Sequence, residues 1–293
     1  MELKCPFATM ENSSSDKIHQ IVRFGYFFRQ SDKAIIQRFK CSCSAKSFSK
    51  ASFELCYRQR KRSFNNKVAE LLVSGVSQRR AAKLLRLNRK TVVRKFIFLG
   101  ILSQRYLFES NFNFPLCKTI EFDDLETCEH TKLKPLSVTM AVEYKTRRIL
   151  GFRVARMPAK GHLATLSKKK YGRRRDERSR MRAELFFEIK HLIRPEVLIK
   201  SDESPHYPMD VKRFFPKAQH KTFKGQKGAI AGQGELKKLR FDPLFSINHT
   251  FAQLRADINR LFRRTWCITK KPERLSLHLA IYGVFRNGNL KFN

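Results

Sequence analysis

Acidic residues are scarce in this sequence. Its 293 residues include 25 Asp and Glu against 62 Lys and Arg, a formal net charge of +37. An excess of that size points to a polyanion as partner, and nucleic acid is the one expected. Ribosomal and membrane-surface proteins share the balance, so charge alone fixes no function. Long apolar runs are also missing. No stretch of about 18 apolar residues occurs, so no membrane span and no membrane partner are expected. The start, Met1-Glu2-Leu3-Lys4-Cys5, lacks the apolar core of a signal peptide. The seven cysteines are odd in number and unevenly spaced, as in a reduced, cytoplasmic protein, here one associated with the nucleoid. Trp266 is the only tryptophan, and core packing is its expected role. Phe is plentiful at 26, and hydrophobic residues at 42% supply a real core. The length allows two or three compact units.

The few acids are not spread evenly. Glu121, Asp123, Asp124, Glu126 and Glu129 form an acidic island in a basic chain. It repels DNA unless a metal bridges it, or else it is a solvated loop whose charges do nothing. Asp123 closes the short strand Thr119–Asp123, and Asp202 closes Val197–Asp202. Each strand pushes a carboxylate out of a buried sheet. Two carboxylates brought together bind divalent metal, Mg²⁺ or Mn²⁺. Two such ions clamp the attacking and leaving oxygens of a phosphodiester.

Three segments are expected along the chain. Residues 1–58 read as two small hairpins with a zinc-ribbon-like layout, in which cysteine knuckles hold one zinc. Cys5, Cys41 and Cys43, with His19, are the candidate Zn²⁺ ligands. The ligand set is incomplete, since Ala8 and Ser44 stand where the spacing wants sulfur. A ribbon that has lost its zinc and folds on its Phe residues is the alternative. Residues 60–105 carry a helix-turn-helix pattern. Val68, Leu71 and Leu72 give one apolar face, Gly75 ends that helix, and Ser77 caps a short Ala81-Ala82 helix. A basic third helix follows, with Arg89, Lys90, Arg94 and Lys95 placed to enter the major groove. A generic three-helix bundle with a basic face is the alternative. Residues 101–116 read as a linker.

Residues 115–293 form the third segment. Strands at Thr119–Asp123, Leu136–Tyr144 and Arg148–Arg156 make an antiparallel meander. Residues 156–182 hold eleven Lys and Arg, the usage of a flexible solvated segment that also contacts DNA backbone. A helix through Leu185, Phe186 and Ile189, the Val197–Asp202 strand, a helix over 208–215 and a strand over 220–223 come next. Residues 224–234 are a Gly-rich loop. A long helix marked by Ile247, Phe251, Leu254, Ile258, Leu261 and Phe262 and a last helix over 275–286 end the chain. The fold class is therefore α/β (α+β overall), and the element order is the ribonuclease-H-like one. It places the first and fourth strands side by side, with Asp123 near Asp202.

The stretch Ile120-Glu121-Phe122-Asp123-Asp124 resembles the first-acid strand of bacterial insertion-sequence DDE transposases. The run from Leu254 to Cys267 is similar to the C-terminal signature of the insertion-sequence-one type. The zinc-ribbon-like head and the helix-turn-helix match that family's N-terminal order, so the resemblance covers nearly the whole chain. It implies that Asp123 and Asp202 are the first two acids. The family's Glu falls at Asn248 here, an amide that ligates Mg²⁺ more weakly than a carboxylate. The third ligand ranks as Asn248, then Glu235, then Asp257, which projects to the opposite side of the helix at roughly 100° per residue. His249 reads either as an assistant or as an ordinary helix-start residue. Arg255, Asn259 and Arg263 share the stripe of Asn248 and are expected to contact DNA phosphates or to form a solvated basic face.

The function implied is transposition: binding the terminal inverted repeats of an insertion sequence, metal-dependent cleavage, and strand transfer into target DNA. The double-stranded partners are element ends and target. Because two ends must be paired, a homodimer or larger assembly on DNA is expected. The alternative is a catalytically inactive remnant that only binds DNA, favoured by Asn248 and the damaged zinc set. A structured-RNA or ribosomal protein is a third class, opposed by the helix-turn-helix pattern and by the acidic island.

Overall fold

The computed structural model describes residues 5–6, 20–30, 33–42, 46–57, 59–224, 242–262 and 267–288. The chain divides into two compact units at Lys67 and Val68. The first holds a three-stranded antiparallel sheet in the order β1-β2-β3, from Ile21–Arg29, Ala34–Cys41 and Ser47–Ser49. The β1–β2 register shifts between Arg23 and Tyr26, where Gly25 has a φ of +66°. Glycine takes that left-handed backbone without a Cβ penalty, so the strand can bulge there. The small core is Phe39, Cys41 and Phe48, with Cys5 and Ile21 packed against it.

Helix α1 (Asn65–Val73) crosses into the second unit and is followed by α2 (Gln78–Leu84) and α3 (Arg89–Asn111). Both later helices start at a side-chain cap. Ser77 Oγ accepts from Arg80 N at 3.2 Å, and Asn88 Oδ1 accepts from Lys90 N at 2.8 Å. Such caps satisfy amides that a helix start leaves without a partner. Ala81 and Ala82 are buried, so α2 comes close to its neighbours.

The expected linker over 101–116 is largely helix. Helix α3 runs for 23 residues, because Phe96, Leu99, Gly100, Ser103 and Leu107 continue one buried stripe at helical spacing. That stripe meets α8 (Pro272–Arg286), which is buried on nearly every side. Glycines make the approach possible. A Cβ on Gly100 would lie 2.5 Å from Leu277 Cβ, and one on Gly283 would lie 3.0 Å from Leu107 Cδ2. At its end α3 is tied to the sheet, where Asn111 Nδ2 donates to the Ile149 and Leu150 carbonyls at 3.2 Å.

The second unit is built on a five-stranded sheet in the order β6-β5-β4-β7-β8. Its strands are β4 (Cys117–Cys128), β5 (Pro135–Glu143), β6 (Ile149–Arg156), β7 (Ile193–Asp202) and β8 (Gln219–Phe223). The first three are antiparallel, while β4–β7 and β7–β8 are parallel. Helices flank the sheet. On one face α5 (Arg178–Ile189) and α6 (Tyr207–Phe214) cover a core of Ile120, Phe122, Val197, Ile199, Phe186 and Tyr207. Helix α7 (Phe245–Asp257) packs against β4 and β5. This is why β5 is buried on both faces rather than in simple alternation.

Three local expectations change. Strand β4 continues past Asp123 to Cys128, paired with β5 as far as Pro135, and cations meet the acids there: Lys160 pairs with Glu126 at 2.6 Å and Arg174 with Glu129 at 3.0 Å. The basic run over 156–182 contains a helix, α4 (Leu163–Tyr171), anchored where Ser167 Oγ donates to the Leu133 carbonyl at 2.7 Å. The long helix expected from Ile247 to Phe262 stops at Asp257, and Ile258 turns extended so that it and Leu261 are both buried. The Gly-rich segment from 225 lies outside the described residues. No helix among the described residues is long and apolar enough to cross a membrane.

Candidate active site

Parallel pairing of β4 with β7 sets the geometry. Ile120 is opposite Ile199 and Glu121 opposite Lys200, and the same offset carries Asp123 to Asp202. The two acids are far apart in sequence and come together through the strand order alone. Strand alternation puts Asp123 on the side opposite Phe122, the side of Glu121. Each acid is fixed by nearby backbone. Asp123 Oδ1 accepts from Asp124 N at 2.7 Å, and Asp202 Oδ1 accepts from Ser204 N at 3.0 Å.

Both carboxyls are held in a setting that disfavours their charge. Burial pushes Asp123 up to about 7, and the negative charges of Asp202 and Asp124 add to it. Burial also raises Asp202, with Asp124 contributing and Arg182 opposing. The Tyr207 hydroxyl, beside Asp123, is pushed up by burial and by the charges of Asp124, Asp123 and Asp202. Desolvation and like charge are the ordinary causes of such shifts, and they cluster where carboxylates do chemistry.

Beside the pair lies a network that the sequence did not single out. Arg182 of α5 is almost fully buried and donates from Nε to Asp210 Oδ2 at 2.6 Å. Its Nη1 is 3.7 Å from Asp124 Oδ2, and its guanidinium lies 4.9 Å from the Tyr207 ring centre. Thr139 donates to the other Asp124 oxygen. Asp124 is thus held by a cation and a hydroxyl at once, Arg182 and Thr139. One signal was readable: Arg182 sits at helical spacing with Leu185, Phe186 and Ile189, and a cation on a buried stripe needs a carboxylate.

The third ligand position is less complete. Asn248 is exposed on α7, and its Nδ2 donates to Asp242 Oδ2 at 2.9 Å. Asp257 accepts from Tyr282 at 2.9 Å, on the side of α8. His249 receives a hydrogen bond from Arg147 Nη1 at 2.8 Å, and burial together with Arg147 lowers its basicity. Glu235 lies outside the described residues. Among the described residues, no group of three or more His, Cys, Asp and Glu is arranged to hold a metal ion. Glu121, fully buried under α7, accepts from Ile247 N at 2.9 Å and is pushed up by burial. It anchors α7 to the strand that carries Asp123.

The basic residues separate by exposure. Arg89, Lys90 and Arg94 are exposed along α3. Lys95 is instead buried at 3% exposure, because it shares a side of the helix with Val92, Phe96 and Leu99. Arg255 is half-buried on α7. Asn259 departs from the expected stripe: the helix has ended, and Asn259 is buried in a short 3-10 turn at 7% exposure. Arg263 and Trp266 lie outside the described residues. In the first unit Cys41 is fully buried and Cys5 packs on the same small cluster, while Cys43 and His19 are outside the described residues.

No protein-family model matches the sequence, and no curated protein matches it.

Proposed function

We infer that this chain is a DDE-type transposase of the insertion-sequence kind, with a ribonuclease-H-like catalytic unit and a helix-turn-helix that reads element ends. One observation carries the reading: β4 and β7 are parallel neighbours with Glu121 opposite Lys200, so Asp123 and Asp202 each stand two residues further along, and the charge of one bears on the other. The sheet order β6-β5-β4-β7-β8, three strands antiparallel and the rest parallel, supports the ribonuclease-H-like assignment. The capped helices α2 and α3, with Arg89, Lys90 and Arg94 exposed, support DNA binding through the major groove.

The acid pair fits a divalent cation. Both carboxyls are hard oxygen donors whose ionised form is costly where it stands, and a cation would favour that form over the protonated one. Asp123 and Asp202 would hold it, with Asn248 as the weaker third donor. Bound Mg²⁺ or Mn²⁺ supplies Lewis acidity toward a phosphodiester. The chain's own groups do the rest. Tyr207 stands beside Asp123 and favours its charged form, and Arg182 keeps Asp124 and Asp210 engaged. Exposed Arg89, Lys90 and Arg94, and the basic end of α4, bind backbone phosphates.

A second reading, a DNA-binding protein without catalysis, is favoured by the commitment of the Asn248 amide to Asp242. The test is cleavage of duplexes bearing the inverted repeats that flank the gene, with Mg²⁺ or Mn²⁺. The transposase reading expects nicking at the repeat ends that Asp123→Ala abolishes while binding persists. Binding without any cleavage supports the second reading. No preference for the repeats over random duplex contradicts both.

A further inference from the structure

Within the second unit a cavity of about 480 Å³ opens between the helix-turn-helix and the segment that follows α7. Arg79, Arg89, Arg260, Lys270, Asn259 and His278 are among its walls, and no carboxylate lines it among the described residues. Arg260 differs from four other arginines of this unit. Arg148, Arg153, Arg174 and Arg182 are each paired with a carboxylate. Arg260 has the Phe96 ring 5.2 Å away and no carboxylate partner among the described residues. Burial, then neighbouring Arg274, lower its guanidinium to about 10, with Cys267 opposing. A half-buried cation without a carboxylate gains from an anion supplied from outside.

His278 gives a second, independent sign. It is 1% exposed, and its Nε2 is 2.9 Å from the Leu72 carbonyl, which makes Nε2 the protonated nitrogen. Its Nδ1 is buried with no hydrogen-bond partner. Burial, followed by the charge of Arg260, holds the imidazole neutral, with basicity lowered to about 3. Buried polar atoms are nearly always satisfied, so a bare acceptor on a residue lining a cationic cavity draws attention to that cavity. A phosphate supplies oxygens for the guanidinium.

We propose that this cavity seats a backbone phosphate of duplex DNA, with Arg260 as its floor and Arg79, Arg89 and Lys270 as its rim. The proposal rests on the DNA-binding reading above and adds a contact outside the exposed face of α3. Its position matters. The α1–α2 turn at Gly75, with a φ of +75°, lies against Phe262 and the Ala256 and Asp257 carbonyls at the exit of α7. A phosphate there touches both the DNA-reading helices and the chain leaving α7, the helix anchored by Glu121 next to the acid pair.

The experiment measures duplex affinity against salt for the full chain and for Arg260→Gln, Arg260→Lys and Lys270→Gln. Thermal unfolding in inorganic phosphate is compared with chloride at matched ionic strength. Loss of one phosphate contact lowers the slope of log affinity on log salt by about 0.9. Arg260→Gln and Lys270→Gln are expected to show that drop, and Arg260→Lys to keep the wild-type slope. Inorganic phosphate is expected to raise the wild-type midpoint and not that of Arg260→Gln. Lys270 is exposed, so its variant still reads the slope if Arg260→Gln fails to fold. Unchanged slopes in both Gln variants overturn the proposal, even where inorganic phosphate stabilises the protein, because the site then serves free phosphate. If the wild type binds no duplex, the DNA reading itself fails. The phosphate arm then separates that failure from the absence of an anion site.

Discussion

Arg182 and Asp210 are joined across α5 and α6 by a hydrogen bond of 2.6 Å from Nε to Oδ2. The same guanidinium faces Asp124, so one buried cation serves two carboxylates beside the acid pair. Removing it strands both charges. Arg182→Met is expected to cost roughly 3–5 kcal/mol, read as a lower urea midpoint. Arg182→Lys is expected to recover only part, since an ammonium lacks the planar fork that reaches two partners. An unchanged midpoint in Arg182→Met would remove the network from any account of stability.

The crossing of α3 with α8 depends on two glycines of unequal tolerance. A Cβ on Gly100 would lie 2.5 Å from Leu277 Cβ and 3.1 Å from its Cα, so the neighbouring backbone would have to move. On Gly283 the obstacle is the flexible end of Leu107. Gly100→Ala is therefore expected to lose about 1–3 kcal/mol, the usual cost of overpacking, and Gly283→Ala less. Thermal denaturation of the two variants checks the order. Equal losses would contradict the close approach at Gly100.

Stability should depend on pH through Asp123. Its folded carboxyl titrates at about 7, above the ordinary range, so between about pH 4 and 7 the folded state binds a proton that the unfolded chain releases. This contribution is present at low pH and is lost as pH rises through 7, by up to about 4 kcal/mol before solvent screening reduces it. Asp123→Asn removes the charge and is expected to be more stable than wild type at pH 8 without divalent metal. At pH 4 the two should be nearly equal. Denaturant midpoints at the two pH values decide it, and a variant less stable than wild type at pH 8 contradicts the assignment.

The strands carrying the acids were legible because each acid follows a short β-branched and aromatic run, although β4 continues past Asp123. The neighbouring positions of β4 and β7 followed from element order. Other features depended on tertiary partners that a linear reading does not supply. Residues 101–111 looked like a linker until α8 provided a surface for Leu107 and Gly100. Lys95 looked like a DNA contact beside Arg94, yet helical geometry puts it with Phe96 and Leu99. Asn259 looked helical because Ile258 and Leu261 fit a helical stripe; both are buried here from an extended residue and a 3-10 turn. Arg182 could have been flagged from its place among Leu185, Phe186 and Ile189. Its acidic partners, on β4 and α6, could not.

Calorimetric titration of the metal-free protein with Mn²⁺ at pH 7.5 tests most directly whether Asp123 and Asp202 share a divalent ion. Wild type is expected to bind, and Asp123→Asn and Asp202→Asn should each lose that binding while retaining a cooperative fold. Unaltered Mn²⁺ binding in both variants would contradict the shared site, and with it the phosphoryl-transfer chemistry.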